Sequence, residues 1–176
     1  MILPAERSSA GLKAAALFQE NDLFVKNNKF ACYFATENEF DCSDIIQLIL
    51  SAKKKCYLPT LSMYGNKKLE FSLFEKDMPL QKNRYQIPEP MFATKIQPQL
   101  LDVVIFPLVG FDLSGHRLGM GGGYYDRTFQ AVKHKNTPFF LGLAYELQKV
   151  DSLPKDAWDI QLDGVLTERD IYIFKK

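Results

Sequence analysis

Apolar and polar positions along the chain fall into short strand-like runs separated by segments with helical spacing. The most apolar run, LDVVIFPLV at 101–109, has no polar alternation, so it predicts a strand that is buried on both faces of a parallel sheet. The run KFACYFA at 29–35 is rich in aromatic residues and predicts a second central strand. Shorter strands are expected at 55–59, 69–74, 138–144, 164–168 and 171–174, and the turn at Gly65 and Asn66 predicts a hairpin arm.

Three helices are predicted between these strands. The first begins at Pro4 and runs to about Glu20, because proline is favoured at the first helical position and the segment is rich in alanine and leucine. The second begins after Asp41 or Ser43. Its apolar stripe, which is expected to face the core, consists of Ile45, Ile46, Leu48, Ile49 and Ala52. The third runs from about 123 to 133, after a glycine-rich turn.

The alternation of strands and helices predicts a three-layer α/β/α fold with a mostly parallel, Rossmann-like central sheet. A length of 176 residues suits one domain that spans 1–176. The segment 78–99 contains four prolines and is expected to cross the surface as a linker inside that domain.

Charge and cysteine content exclude several classes of protein. The 22 basic and 21 acidic residues leave a net charge of +1, which argues against binding of duplex nucleic acid. Cys32, Cys42 and Cys56 are odd in number and form no CxxC pair, so they are expected to be buried thiols in a reducing compartment. The sequence contains no apolar run typical of a membrane span, and we expect a soluble, cytoplasmic protein.

A glycine cluster between the strand at 101–109 and the third helix is the strongest chemical signal. The segment RLGMGGGYYDR at 117–127 places four glycines before a helix, where backbone N–H groups can converge on an anion. Arg117 and Arg127 bracket the glycines and supply guanidinium groups that suit phosphate oxygens. The segment does not match a Walker A loop, and a tight turn without a ligand remains an alternative at this point.

Three aspartates are candidate magnesium ligands. Asp126 lies in the first turn of the third helix, where it either caps the helix or holds Mg²⁺ beside a bound phosphate. Magnesium commonly takes one or two protein carboxylates, so a second acid is expected from Asp159 or Asp163. Either of these two residues can instead be a turn residue.

The motifs PLVGFD, RLGMGGGYYDR and DIQLDGVLTE, with KCYLP at 55–59 and IPEP at 87–90, resemble the 5-formyltetrahydrofolate cyclo-ligase family over nearly the whole chain. The resemblance implies conversion of 5-formyltetrahydrofolate to 5,10-methenyltetrahydrofolate with hydrolysis of ATP to ADP and phosphate, with Mg²⁺ required. We also expect small-molecule partners only, no nucleic acid or membrane, and a monomer.

The resemblance assigns roles to three groups of residues. The ATP phosphates would contact Arg117, Leu118, Gly119, Met120, Gly121, Gly122, Gly123, Tyr124 and Tyr125. The folate would contact Phe34, Glu39, Met120, Gly121, Gly122, Gly123 and Tyr124. The metal would be held by Asp126 and Asp159, with Asp163 a near alternative. Without the resemblance, Phe34 is equally well explained as a core residue of a strand, and Glu39 as a solvated acid in a loop. No residue is assigned to the chemical step itself.

One departure from the family pattern concerns the start of the chain. Family members usually begin with a basic helix of the type Lys-x-x-Leu-Arg, and here the sequence begins close to Arg7. We therefore expect a domain that lacks this helix, and the alternative function is a non-catalytic member that binds folate or nucleotide.

Overall fold

The computed structural model describes residues 4–36, 39–62, 65–132 and 138–174. Within these residues, strands numbered in chain order form one large sheet and two small ones. The large sheet contains β1 (Lys29–Ala31), β2 (Lys55–Leu61), β3 (Leu69–Phe74), β6 (Lys95–Ile96), β7 (Val103–Pro107), β10 (Phe139–Leu143), β11 (Gly164–Leu166) and β12 (Ile171–Ile173). The small sheets pair β4 (Leu80–Lys82) with β5 (Pro88–Pro90), and β8 (Gly110–Phe111) with β9 (Arg117–Leu118).

The centre of the large sheet is parallel. Its strand order is β12-β11-β10-β7-β1-β2-β3-β6, and the five strands from β11 to β2 all run in the same direction. The three remaining pairings, β11 with β12, β2 with β3 and β3 with β6, are antiparallel. The predicted burial of the strand at 101–109 is confirmed, because Val103, Val104, Ile105 and Phe106 all have no exposed surface.

Helices cover both faces of the sheet, so the predicted α/β fold with a mostly parallel sheet is confirmed. The helices are α1 (Pro4–Glu20), α2 (Asp22–Val25), α3 (Ser43–Ser51) and α4 (Tyr124–Phe129). The first three pack on one face through apolar side chains that include Phe18, Phe24 and Ile49. On the other face, Phe129 of α4 lies 5.8 Å from Phe106 and 5.2 Å from Phe140 between ring centroids.

Most predicted elements are present, with differences at their ends. The predicted stripe on α3 is confirmed for Ile45, Ile46 and Ile49, which are buried, whereas Ala52 caps the helix and is exposed. The strand expected at 29–35 ends at Ala31, because the chain leaves the sheet there to form one wall of a cleft. Helix α4 ends at Phe129, and residues 133–137 lie outside the described part of the chain.

The segment 78–99 was expected to cross the surface as a linker; it does lie mostly at the surface, but it contains strands that the sequence analysis did not predict. This segment forms the β4–β5 hairpin and strand β6, which adds to the edge of the large sheet beside β3. Pro88 and Pro90 are tolerated in β5 because it has a single neighbouring strand in the described structure, and edge strands accommodate residues without an N–H donor. Sequence spacing alone therefore underestimated the order of this segment.

The three cysteines are buried, as predicted. Burial raises the pKa of the Cys32 thiol well above its ordinary value, and the neighbouring thiols Cys42 and Cys56 raise it further. The Cys32 thiol therefore stays protonated, and the three buried cysteines act as small apolar side chains. No helix in the described ranges is both long enough and apolar enough to span a bilayer.

Candidate active site

A cleft of about 1120 Å³ opens at the carboxyl ends of the central parallel strands. Open α/β sheets bind ligands at this edge, because the chain leaves the strands there and its loops converge. The cleft is lined by Tyr33, Phe34, Thr36 and Glu39 after β1, by Pro59, Leu61 and Leu69 from the β2–β3 hairpin, by Asn83, Tyr85, Ile87 and Glu89, by Pro107, by residues 117–127 and Gln130, and by Pro154, Lys155, Asp156, Trp158 and Asp159. Every predicted ATP and folate contact lies on this surface, and so do two of the three predicted metal ligands.

The glycine loop has the backbone geometry that its glycines permit. Gly121 has φ +77° and Gly123 has φ +63°, both in the left-handed region that disfavours residues with a side chain. Gly123 is the N-cap residue of α4, so the free N–H groups of the first turn face the loop. A Cβ at Gly119 or Gly121 would meet no protein atom within 4 Å, so the loop surface is open to a ligand.

The two arginines beside the loop have different partners. The Arg127 guanidinium donates to the Gly122 and Lys67 carbonyls, and it therefore braces the loop. The Arg117 side chain is only 7% exposed, and its Nη2 lies 2.6 Å from Asp126 Oδ1. Arg127 thus has a structural role that the sequence did not indicate, while Arg117 is held at the floor of the cleft.

Asp126 joins three segments of the site. Its Oδ1 accepts hydrogen bonds from the Arg117 guanidinium at 2.6 Å and from the Ile160 amide at 3.0 Å. Arg117 also donates to the Ile160 carbonyl, so β9, α4 and the segment before β11 are tied together. This arrangement brings Asp159, the neighbour of Ile160, to the same cleft as Asp126.

The second and third predicted metal ligands lie in different surroundings. Asp159 lines the cleft, and its Oδ2 accepts a hydrogen bond of 2.9 Å from the Asp156 amide. Asp163 is 4% exposed, lies outside the cleft lining, and accepts a hydrogen bond of 2.8 Å from the Phe140 amide. The structure therefore brings Asp126 and Asp159 together and places the Asp163 carboxylate between β10 and β11.

Two of the residues predicted to contact the folate, Phe34 and Glu39, lie on the segment after β1. Glu39 is 8% exposed, and its Oε2 accepts a hydrogen bond of 2.8 Å from the Thr36 amide. The Phe34 ring packs edge-on against Phe74 at 5.7 Å while still facing the cleft. Glu39 is therefore a nearly buried carboxylate in a partly apolar pocket wall, and this placement contradicts its alternative interpretation as a solvated loop acid.

A hairpin that sequence reasoning missed reaches the glycine loop. Tyr124 Oη lies 2.7 Å from Arg84 Nη2 and 2.9 Å from Tyr85 Oη, both of which belong to the turn between β4 and β5. Glu89 of β5 accepts hydrogen bonds of 2.8 Å from the Leu61 amide and from Asn83, which fixes the hairpin to the end of β2. The IPEP motif at 87–90 was the sequence signal for this hairpin. Its contacts to Leu61 and Tyr124 could not be predicted, because those residues are distant in sequence.

Two tyrosines of the loop have opposite electrostatic surroundings. Hydrogen bonds from Tyr85 and Arg84 lower the pKa of Tyr124, which is near the surface. Burial raises the pKa of Tyr125 well above its ordinary value, and the negative charge of Glu39 raises it further. This raised pKa keeps the Tyr125 hydroxyl neutral at physiological pH. The Tyr125 ring also lies 4.7 Å from Phe106 between ring centroids.

Asp112 of the PLVGFD motif holds the turn between β8 and β9 and the segment at Leu153. Its carboxylate accepts hydrogen bonds from the Ser114, His116 and Leu153 amides and pairs with His116 Nδ1 at 3.0 Å. Burial by itself raises the pKa of Asp112, but these hydrogen bonds outweigh it and the pKa lies below its ordinary value. His116 therefore has a structural partner in Asp112.

The substitution Asp112→Asn tests this support. A carboxyl whose folded pKa is lowered stabilises the fold above its unfolded pKa, and the contribution disappears as pH falls through the folded pKa. We expect the free energy of unfolding at neutral pH to fall by about 1–3 kcal/mol, because amide donors are left without a charged acceptor. Urea titrations of the native protein and of Asp112→Asn across the acid range measure the free energy of unfolding. If the difference in free energy between the two proteins stayed constant down to the lowest pH, the role assigned to the Asp112 charge would be contradicted.

Comparisons with known proteins identify a family and relatives to which this chain is similar. A model of the 5-formyltetrahydrofolate cyclo-ligase family matches residues 3–168. The 5-formyltetrahydrofolate cyclo-ligase of Escherichia coli K12 is 34% identical over 173 residues, which cover 97% of this chain and 94% of that protein. The protein of the same name from Haemophilus influenzae is 38% identical over 138 residues, which cover 77% of this chain and 73% of its own.

Solved structures agree as well. The NMR structure of 5,10-methenyltetrahydrofolate synthetase from Aquifex aeolicus has a TM-score of 0.82 and 29% identity, with 97% of this chain and 83% of that chain covered. The resemblance indicated by the motifs is thereby confirmed over nearly the whole sequence.

Proposed function

Because the chain belongs to the 5-formyltetrahydrofolate cyclo-ligase family of enzymes, we propose that it converts 5-formyltetrahydrofolate to 5,10-methenyltetrahydrofolate at the expense of ATP, with Mg²⁺ bound in the cleft. The observation that carries the proposal is one continuous cleft that joins the glycine loop, Glu39 and two aspartates. A volume of about 1120 Å³ is at the upper end of ordinary ligand pockets, which suits two substrates bound side by side.

The glycine loop is the proposed site for the ATP phosphates. Its open surface, its two left-handed glycines and the first turn of α4 supply N–H groups that suit phosphate oxygens. Arg117 and Lys155 lie on the same cleft surface and add positive charge. Phe34 and Glu39, across the loop, are the proposed contacts of the reduced pterin, whose N–H groups suit a carboxylate acceptor.

Asp126 and Asp159 fit the preference of magnesium for a small number of carboxylates beside phosphate oxygens. Each carboxylate has one oxygen in a hydrogen bond to the protein, which fixes its orientation. The described part of the chain contains no group of three or more His, Cys, Asp or Glu side chains placed to hold a metal, so the remaining ligands would come from phosphate and water. When bound there, the ion would neutralise negative charge on the phosphates.

The proposed reaction proceeds in two steps. The formyl oxygen attacks the γ-phosphorus of ATP, the bond to the bridging oxygen breaks, and ADP leaves. N10 then attacks the formyl carbon, the bond from that carbon to the phosphate oxygen breaks, and N10 loses its proton as the ring closes. Such transfer depends mainly on alignment and on charge stabilisation, and the loop amides and Arg117 supply both.

The direct test is an assay of purified protein with 5-formyltetrahydrofolate, ATP and Mg²⁺. We expect methenyl product and ADP in a one-to-one ratio, and neither product without Mg²⁺. Folded protein that binds ATP or folate but forms no methenyl product would instead support the non-catalytic alternative.

The substitution Glu39→Gln tests the folate contact. Glutamine retains an oxygen for the Thr36 amide and loses the negative charge, so the fold should be preserved. We expect the KM for 5-formyltetrahydrofolate to rise about tenfold, because charged hydrogen bonds exceed neutral ones by roughly 1 kcal/mol or more, while the KM for ATP stays unchanged. Glu70→Gln, on β3 outside the cleft lining, is the control. Equal KM values for 5-formyltetrahydrofolate in the two variants would show that Glu39 does not contact the folate.

A further inference from the structure

Trp158 is a large aromatic side chain at the edge of the cleft that the proposed chemistry leaves unassigned. It is the single tryptophan of the chain, and it is 59% exposed. Leu118 and Met120, also at least half exposed, lie on the same cleft surface. An exposed indole beside apolar side chains in a ligand cleft is suited to stacking against a planar ring.

The backbone around Trp158 is well anchored. The Asp159 amide donates to the Asp156 carbonyl at 3.1 Å, and the Asp159 side chain accepts from the Asp156 amide at 2.9 Å, which closes a turn around Trp158. Two residues further on, the Ile160 amide is bound to Asp126. The indole is therefore presented from a turn that is fixed to the proposed phosphate and metal site.

The order of strands indicates which ring approaches Trp158. Phe34 and Glu39 lie just after β1, and Trp158 lies just before β11. Strands β7 and β10 separate β1 from β11 in the sheet, so these two groups of residues lie at different ends of the cleft. In the proposed reaction the γ-phosphate must meet the formyl group, so the folate lies at one end of the triphosphate and the nucleoside at the other. The base is thus directed away from Glu39 and toward the flank that carries Trp158 and Lys155.

We infer that Trp158, with Leu118 and Met120, forms the subsite for the purine base of ATP, where the base stacks on the indole. The inference rests on the proposed function, because it takes the glycine loop as the phosphate site. Base stacking on an aromatic side chain is worth about 1–3 kcal/mol, which corresponds to roughly a 5- to 150-fold change in affinity.

Fluorescence of the single tryptophan tests the contact directly. We expect ADP and ATP to quench the emission of the native protein, and inorganic tripolyphosphate to bind without comparable quenching. Equal quenching by tripolyphosphate and ATP would overturn the inference, and so would quenching by 5-formyltetrahydrofolate alone, which would place the folate ring on Trp158.

Calorimetry on three variants completes the test. Trp158→Ala is expected to weaken ATP binding at least fivefold without changing the affinity for tripolyphosphate, and Trp158→Phe is expected to retain most of the affinity. Leu147→Ala, which removes a side chain that is 70% exposed and outside the cleft lining, is the control and should bind like the native protein.

The outcomes separate this inference from the function on which it rests. If the native enzyme forms methenyl product and Trp158→Ala binds ATP normally, the purine subsite is wrong and the function stands. If the native protein neither binds ATP nor forms product, both are wrong.

Discussion

Asp126→Ala is expected to abolish magnesium-dependent turnover and to destabilise the fold at the same time. The substitution removes a proposed metal ligand, and it also leaves the Arg117 guanidinium, 7% exposed, without its carboxylate. Removal of one partner from a buried ion pair costs about 3–5 kcal/mol, and we expect the lower end because the Asp126 side chain is 20% exposed. Urea unfolding measures this loss, and a Mg²⁺ titration of ATP turnover measures the loss of metal.

Asp126→Asn separates the two effects. Asparagine retains an oxygen that can accept from Arg117 and from the Ile160 amide, so most of the stability should return. The charge that suits Mg²⁺ is absent, and we expect the half-saturating Mg²⁺ concentration to rise about a hundredfold or more, because removal of even a hydrogen-bond partner of a metal ligand costs roughly 10- to 100-fold in affinity. An asparagine variant with the native Mg²⁺ requirement would show that Asp126 is structural only.

Gly123→Val is expected to disable the phosphate loop. Gly123 has φ +63°, a conformation that a β-branched residue adopts at a cost of about 1–3 kcal/mol. A Cβ there would also lie 2.8 Å from the Arg127 guanidinium that braces the loop. Because the strain is relieved only by moving the first turn of α4, we expect ATP affinity to fall about ten- to a hundredfold, as measured by calorimetry.

Gly119→Ala is the matched control for this effect. Gly119 belongs to the same loop, but its φ lies outside the left-handed region and a Cβ there would meet no protein atom within 4 Å. We expect this variant to fold normally and to bind ATP much more tightly than Gly123→Val. Equal affinities in the two variants would mean that the backbone conformation at Gly123 does not determine phosphate binding.

The sequence predicted those parts of the fold that depend on local pattern. The buried strand β7, the α3 stripe of Ile45, Ile46 and Ile49, and the Pro4–Glu20 helix all follow from hydrophobic spacing and end signals. The strands within 78–99 were not predicted, because the prolines there are typical of irregular chain. The segment gains order from the pairing of β6 with β3 and from the hydrogen bonds of Glu89. Such pairing depends on residues distant in sequence, which periodicity does not detect.

At the candidate site, residue type was predicted better than residue partner. The glycines, Asp126 and Asp159 were placed in one cleft by spacing and resemblance, and the structure brings them together. Arg127 was expected to be a phosphate cation; it lines the cleft, and its guanidinium also donates to the Gly122 carbonyl, a contact that the sequence did not indicate. Arg84 of the hairpin, which the sequence did not single out, contacts Tyr124 of the loop. A side chain that lies near a loop in sequence has several possible partners, and burial and geometry select among them.

The sequence by itself determined the strand and helix pattern, the glycine loop, the set of acids and the family, since these are local or carried by contiguous motifs. The tertiary structure alone decided that the β4–β5 hairpin reaches Tyr124, that the Asp163 carboxylate bonds β10 outside the cleft, and that the turn with Trp158 is tied to Asp126. The physical reason is that hydrogen bonding and burial act between groups that are close in space, and folding brings together side chains whose separation along the chain carries no such information.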